Sequence, residues 1–365
     1  RRSASRRSPS ARSASSSASC SDSACSWCCP SSASSASKRS FSAAIVSGAA
    51  ALVKAVNPAA DAEDVRAILT STAADSGDAG RQAGAGAGLL DLEAALRAAV
   101  HGAVQATWDR SDSVVASGMT TRTWLWGEHA AAYEYEAYSD TQHGSRLVYY
   151  FDKSRMEVTD PLADRANPWY VTNGLLVREL ITGQMQIGDA AFEPHSPADV
   201  NVAGDPDDDR GPTYASFAGL LDTPPLDEGA VVVQQIDRAG AVTTSDQLAS
   251  YGVTASFHVQ QPGLDHRVAS VFWDFMNSEG TIYRNGEYVV DKLFENPFYA
   301  TGYPITEAYW TWVQVGGIYQ NVLIQCFERR CLTYTPNNPE GWQVEAGNVG
   351  RHYYQWRYGV APPER

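Results

Sequence analysis

An abrupt change in composition near residue 40 most constrains how this chain can fold. Up to Ser37 the sequence is built almost entirely of Ser, Ala, Arg, Cys and Pro, with no Leu, Ile, Val or Phe. A segment without these side chains cannot bury a hydrophobic core, so residues 1–39 are predicted to be disordered. No complete metal or nucleic-acid motif accompanies the cysteines at 20, 25, 28 and 29. We interpret this tract as spurious, a wrong-frame translation of GC-rich DNA.

Three helices are predicted directly after this tract. The first, Ser42 to Val56, is rich in small residues and poor in charge, which is typical of a helix packed on all sides, and it ends before Asn57-Pro58. The second opens with acidic residues at Asp61 to Asp64, which favour the first turn of a helix. The third is predicted over the segment LLDLEAALRAAV.

These segments resemble the C-terminal part of the catalytic domain of subtilisin-like serine proteases. The matching pieces are, in order, SFSAAIVSGAAALV (Ser40–Val53), NPAADAEDVRAILTSTA (Asn57–Ala73) and GAGLLDLEAAL (Gly86–Leu96). In that family the nucleophilic serine begins the first of these helices and follows Gly-Thr. The resemblance therefore places Ser40 at the nucleophile position and implies a polypeptide substrate. The sequence departs from the family pattern immediately before it, at Lys38-Arg39.

The catalytic partners that the resemblance implies are not found before Ser40. Subtilisin-like enzymes carry Asp and His upstream of the serine, in that order. Upstream of Ser40 the chain holds one Asp, no His and no Asn. A serine without a general base is a weak nucleophile, so the alternative role for Ser40 is that of a helix N-cap. Residues 40–100 are accordingly interpreted as a helical remnant of a subtilisin-like α/β domain, catalytically incomplete and exposing apolar surface where a sheet is missing.

Residues 108–365 are predicted to form a mainly-β region, so the fold class expected for the chain is mixed. Trp and Tyr become frequent here, and β-favouring runs alternate with Gly, Pro, Asn and Asp. An internal repeat relates residues 146–180 to residues 321–353, each read as strand, charged turn, strand, Pro-containing loop and a final turn or helix. Two related units are therefore predicted.

The second unit also resembles, loosely, the LGFP repeats of exported bacterial proteins. That resemblance implies a module that binds cell-envelope polysaccharide, with exposed aromatic rings stacked on sugar faces. The aromatic candidates for ligand binding are Trp310, Tyr334 and Trp342. The alternative for the same residues, and for Trp312, is packing in the core, because aromatic side chains dominate burial in small β domains.

Two further motifs lie in the β-rich region. Cys326 and Cys331 flank Phe-Glu-Arg-Arg, so a four-residue hairpin loop would bring them face to face for a disulfide. The segment GDPDDDRGP spaces Asp205, Asp207 and Asp209 two residues apart, which suits oxygen ligands for Ca²⁺. It does not follow the EF-hand pattern, and the alternative is a solvated acidic loop.

Charge and hydropathy limit the partners of the chain. The net charge is −14, the first 39 residues carry +6, and the remainder therefore carries −20. An acidic body argues against nucleic acid as a partner, and no apolar run is long enough to predict a membrane span. The chain starts at Arg1 without a hydrophobic targeting segment, so we expect its natural N-terminus to be missing.

Two functions are consistent with these observations. The first is the C-terminal portion of an exported subtilisin-like serine endopeptidase whose β region attaches to the cell surface. The alternative is a non-enzymatic protein that binds envelope polysaccharide. The paired cysteines and both resemblances predict an extracellular or cell-surface location.

Overall fold

A computed structural model describes residues 31–57, 60–74, 87–141, 144–161 and 163–363, with side chains from Ser42 onward. The chain divides into two compact units, Arg1–Gly48 and Ala49–Arg365. Of the first unit only residues 31–48 are described, and their backbone is helical. The described strands all lie in the second unit.

Helices and small antiparallel sheets alternate along the described chain. The helices are α1 (Ser31–Val56), α2 (Ala62–Ser71), α3 (Leu92–Ser111), α4 (Ser113–Ala116), α5 (Leu176–Thr182), α6 (Ser270–Met276) and α7 (Val349–Tyr358). The first strands are β1 (Ala130–Ala137), β2 (Ser145–Phe151), β3 (Ser154–Val158), β4 (Thr172–Asn173), β5 (Gln184–Gln186), β6 (Phe192–Pro194), β7 (Gln234–Ile236) and β8 (Val242–Thr244). The later strands are β9 (Ala255–Gln261), β10 (Leu264–Ala269), β11 (Glu279–Arg284), β12 (Glu287–Lys292), β13 (Pro304–Val315), β14 (Ile318–Phe327), β15 (Cys331–Tyr334) and β16 (Val344–Ala346). The predicted mixture of helix and strand is confirmed.

Helix α1 begins at Ser31, earlier than the start predicted near Phe41. Ser40 therefore lies inside the helix and does not cap its N-terminus. The disorder predicted for residues 31–39 is replaced by helix, and the rest of that tract lies outside the described residues. Once the segment up to Val56 has nucleated a helix, extension through a stretch of Ser and Ala costs little, and the nearest helix-breaking residue upstream is Pro30.

Helices α2 and α3 begin where acidic side chains cap them. The Asp61 carboxylate accepts the N–H groups of Glu63 at 2.8 Å and Asp64 at 2.9 Å. The Asp64 carboxylate in turn accepts the N–H of Asp61 at 2.9 Å, which completes a capping box. Asp91 accepts the N–H of Ala94 at 2.9 Å and starts α3. The third predicted helix is thus confirmed, but it continues to Ser111. The predicted boundaries at residues 100 and 108 therefore fall inside one helix.

A four-stranded antiparallel sheet, here called the first sheet, follows with strand order β1-β2-β3-β4. Helices α2 and α3 bury their apolar side chains against this sheet. The shared core includes Val65, Ala95 and Val104 from the helices and Tyr149 and Met156 from the strands. The expectation that these helices lack a sheet to cover is therefore corrected, because the β-rich region provides one.

A six-stranded sheet, here called the second sheet, has strand order β16-β15-β14-β13-β7-β8. Its pairs are antiparallel except β13 with β7. Strands β13 to β16 follow one another in the sheet as β1 to β4 do in the first sheet, and each series ends in a helix, α7 or α5. The two series thus share their order of elements, and the predicted relation between the two units stays a prediction.

The helix that follows each series packs against the sheet of the other series, and we call α5 and α7 the exchanged helices. Helix α5 comes after the first sheet but packs its Leu180 and Ile181 into a core with Ile324 of the second sheet, while Tyr353 and Tyr354 of α7 pack against Tyr150 of the first.

Matching hydrogen bonds fix both exchanged helices at their N-terminal turns. The N–H of Arg178 donates to the carbonyl of Glu328 at 3.2 Å, and the N–H of Gly350 donates to that of Asp152 at 3.0 Å. Helix α5 is thus hydrogen-bonded to the turn between β14 and β15, and α7 to the turn between β2 and β3.

Three hairpins complete the described part: β5 with β6, β9 with β10, and β11 with β12. The turn between β11 and β12 is Asn285-Gly286, with φ values of 54° and 86°. Both residue types tolerate the left-handed region, which makes Asn-Gly a favoured hairpin turn. No described helix is long and apolar enough to cross a membrane.

Candidate functional site

The predicted nucleophile Ser40 lies in the middle of α1. Its side chain is outside the described residues, so its role as a nucleophile stays a prediction. The helix continues without interruption through Val56, where Asn57 follows as predicted.

The predicted calcium loop is built differently from the expected cluster of Asp205, Asp207 and Asp209. The Asp205 carboxylate accepts the N–H groups of Gly316 and Gly317, each at 2.8 Å, and so holds the turn between β13 and β14. Asp207 and Asp209 are exposed, while the intervening Asp208 is buried.

Asp208 is not one of the predicted calcium ligands, but its side chain forms hydrogen bonds of its own. Its carboxylate accepts the N–H groups of Gln314 at 2.9 Å and Arg210 at 3.0 Å. Among the described residues no group of three or more His, Cys, Asp or Glu is placed to hold a metal ion. The arrangement fastens the loop to a hairpin, and calcium binding stays a prediction.

The three predicted ligand-binding aromatics lie in different environments. Trp310 is 0 % exposed, donates its Nε1–H to the carbonyl of Val232 at 2.9 Å, and stacks on Tyr251. It packs in the core and presents no face to solvent, so its candidacy for ligand binding is corrected in favour of the core alternative. Tyr334 and Trp342 are half-buried, with Tyr334 packed against the Trp310 ring.

Cys326 and Cys331 form a disulfide in the turn from β14 to β15. They are directly opposed in the antiparallel ladder, with Cα atoms 4.0 Å apart, and both side chains are buried. The hairpin proposed from the spacing of the two cysteines therefore does bring them face to face. The bond closes the turn that α5 contacts through Arg178.

Four aromatic side chains form a surface group that the sequence did not reveal, here called the aromatic platform: Phe257, Trp273, Phe298 and Tyr303. Phe257 and Trp273 stack face to face, with ring centroids 3.8 Å apart and planes inclined by 5°. Phe298 lies 5.9 Å from Trp273 and 5.0 Å from Tyr303. Phe257 is 40 % exposed and Tyr303 is 36 % exposed, so ring surface remains available to a ligand.

Backbone contacts place the first two rings of the aromatic platform. Ser270 starts α6 beside β9, because its N–H donates to the carbonyl of Thr254 at 2.8 Å and its hydroxyl accepts the Thr254 N–H at 3.2 Å. Helix α6 then buries Phe272 and Met276 in the core, and the adjacent Trp273 packs at the edge of that core, where it meets Phe257 of β9.

The other two rings follow a tight turn. Asn296 accepts the N–H of Phe298 at 2.8 Å, and the Phe298 carbonyl accepts that of Gly302 at 2.8 Å. Gly302 has φ of 69°, and a Cβ there would lie 2.8 Å from the Cβ of Glu328, so only glycine fits. The Glu328 carboxylate accepts the N–H of Tyr303 at 3.0 Å and fixes the last ring.

Part of the chain matches a known protein family. Residues 13–88 match the Subtilase family. The match covers less than a quarter of the chain and confirms the subtilisin-like resemblance up to Gly88. No curated protein and no solved structure gives a significant match.

The subtilase segment contains the whole of α1 and α2, and Ser40 lies within it. The aromatic platform, the disulfide and both sheets lie beyond it. The chain thus joins a subtilase-related helical segment to a β-rich region that the match does not include.

Proposed function

We propose that the chain is the C-terminal portion of an exported subtilisin-like serine endopeptidase whose β-rich region attaches it to cell-surface polysaccharide. The family match over residues 13–88 supports the peptidase relationship and, with it, a polypeptide substrate. The aromatic platform is the single observation that carries the binding role. The buried disulfide between Cys326 and Cys331 supports an extracellular, oxidising location.

The aromatic platform suits a sugar polymer for a physical reason. The faces of pyranose rings are apolar while their edges carry hydroxyl groups, and exposed aromatic faces bury such surfaces well. Phe257 and Trp273 present stacked rings, and Asp274 lies exposed beside Trp273 as a hydrogen-bond acceptor. The alternative platform, Trp312 stacked on Tyr319, has a centroid distance of 6.5 Å and only two rings, so it offers a smaller surface.

Binding to insoluble polysaccharides tests this role. Peptidoglycan, chitin and cellulose are incubated with the purified chain, and the bound fraction is measured by sedimentation. Trp273→Ala and Tyr303→Ala are expected to weaken binding about tenfold each. Tyr288→Ala is the matched control, because Tyr288 is an exposed tyrosine on a separate hairpin. Equal binding by all variants, or no binding of the native chain to any polymer, would contradict the proposal.

A second function, a polysaccharide-binding protein without peptidase activity, is favoured by the sequence before Ser40, which supplies no His. Reaction with a fluorophosphonate probe separates the two. Labelling that disappears in Ser40→Ala, and persists in Ser42→Ala, supports a working nucleophile. Absence of labelling in a chain that still binds polysaccharide supports the non-enzymatic function.

A further inference from the structure

A cleft of about 490 Å³ lies between helix α3 and two loops, residues 164–171 and 293–299. This volume is within the range of small-molecule sites in proteins. None of the four platform side chains lines the cleft, although Phe298 precedes the cleft residue Tyr299 in the chain. None of the functional roles discussed for the chain uses the cleft. Its chemistry is set by four aromatic side chains and two arginines.

The aromatic walls are Trp126, Tyr170, Phe294 and Tyr299. Their polar atoms are already engaged by the protein. The indole of Trp126 donates to the hydroxyl of Ser111 at 2.8 Å, Tyr170 donates to the carbonyl of Pro161 at 3.1 Å, and Tyr299 donates to that of Val171 at 2.7 Å. The walls therefore offer a ligand their apolar ring surface and not their hydrogen-bonding groups.

By contrast, the arginines of the cleft, Arg110 and Arg165, each have a buried nitrogen without a hydrogen-bond partner in the described part of the chain. Arg110 Nη2 donates to the carbonyl of Lys292 at 2.8 Å, but its Nη1 is buried without a hydrogen-bond partner among the described residues. The closest carboxylate recorded for it, that of Glu295, lies 3.7 Å from Nε, beyond hydrogen-bonding distance.

The hydrogen bonding of the Arg165 guanidinium group is also incomplete. Its Nη1 donates to Asn57 Oδ1 at 3.1 Å and its Nη2 to the carbonyl of Ala99 at 3.0 Å, while Nε has no partner in the described part of the chain. Buried donors in proteins are usually paired, so an unpaired donor calls for an explanation, of which an absent ion is one. Two such guanidinium groups line this one cleft.

We propose that the cleft binds an aromatic carboxylate, with the ring between the apolar walls and the carboxylate on Arg110 and Arg165. Carboxylates are acceptors only and match guanidinium groups in geometry and charge. A neutral aromatic amide would fill the same space, but it has one acceptor oxygen where a carboxylate has two and no charge to match the arginines. Asp164 and Glu295 also line the cleft, and both are exposed.

The test is isothermal titration of the purified chain at neutral pH with 2-naphthoate and with its neutral counterpart, 2-naphthamide. We expect naphthoate to bind with a stoichiometry of one and naphthamide to bind at least about tenfold more weakly. Arg110→Gln and Arg165→Gln should each weaken naphthoate binding by a similar factor. Arg66→Gln is the matched control, because Arg66 is exposed on α2 and pairs only with Glu63 at the surface.

A second variant keeps the arginines intact. Ala106 lines the cleft from α3, so Ala106→Trp should fill it and abolish binding while circular dichroism remains unchanged. Equal affinity for naphthoate and naphthamide would overturn the proposal, since it would remove the role of charge. Naphthoate binding that persists in Ala106→Trp, or no binding to the folded native chain, would overturn it as well.

Discussion

Arg155 and Glu136 form an ion pair of 2.9 Å in which the side chains are 0 % and 1 % exposed. Arg155 also donates its Nε–H to Glu157 at 3.1 Å, and Arg357 lies 3.4 Å from Glu136. Burial favours the neutral form of Glu136, but Arg155 and Arg357 outweigh it and hold the pKa of that carboxyl below its usual value. The pair sits on the first sheet, directly beneath the exchanged helix α7.

Glu136→Gln should therefore destabilise the protein by about 3–5 kcal/mol, because it leaves a buried arginine without its main counter-charge. The measurement is the free energy of urea unfolding. Asp291→Asn removes a solvent-accessible pair with Arg284 and should lower the unfolding free energy far less, because solvent screens such pairs. Equal losses in the two variants would contradict the assignment of the buried pair as a determinant of stability.

The stability of the fold should also depend on His352 at mildly acidic pH. Burial, aided by Arg351 and Lys153, lowers the pKa of His352 from 6.5 to about 4. Between these values the unfolded chain binds a proton that the folded chain does not, so stability is complete above pH 6.5 and decreases as the pH falls. The expected loss is about 3 kcal/mol by pH 4.

Unfolding free energies measured between pH 8 and pH 4 check this, with His352→Gln as the variant that cannot titrate. The difference in unfolding free energy between the native chain and His352→Gln should be constant above pH 7 and should decrease as the pH falls. Parallel profiles over the whole range would show that His352 titrates normally in the folded chain.

The disulfide should stabilise the turn between β14 and β15. For so short a closed loop the entropy of the unfolded chain accounts for about 2 kcal/mol. The double variant Cys326→Ala, Cys331→Ala should lose about that amount in thermal unfolding. Dithiothreitol should destabilise the native chain and leave the double variant unchanged, which also controls for the N-terminal cysteines. A reductant effect of the same size in both proteins would assign it to those other cysteines.

Substitution of Gly350 tests whether α7 packs against the first sheet. A Cβ at this position would overlap the carbonyl oxygens of Phe151 and Ser154 in the first sheet, so Gly350→Ala should cost more than about 2 kcal/mol. Gly219→Ala is the control, since a Cβ there meets no atom within 4 Å. If Gly350→Ala is as stable as this control in urea unfolding, α7 does not pack against the first sheet as described.

Local features of the fold could be predicted from the sequence because they depend on neighbouring residues. The cap at Asp61, the end of α1 before Pro58, the turn at Asn285-Gly286 and the pairing of Cys326 with Cys331 all belong to this class.

Features that depend on distant contacts could not be predicted. The aromatic platform combines residues from β9, α6 and the loop before β13, which are distant in the sequence. The burial of Trp310 depends on Tyr251, and that of Asp208 on the turn after β13. The start of α1 was misplaced because a low-complexity composition was taken to exclude helix, although Ala favours it.

The exchange of α5 and α7 has a consequence for the newly synthesised protein. Strands β1 to β3 leave the ribosome long before residues 349–358, whose tyrosines cover Tyr150 and Arg155. Until then the buried arginine has no aromatic cover and the sheet offers an open edge of apolar side chains. The last helix to be translated therefore completes the packing of the first sheet.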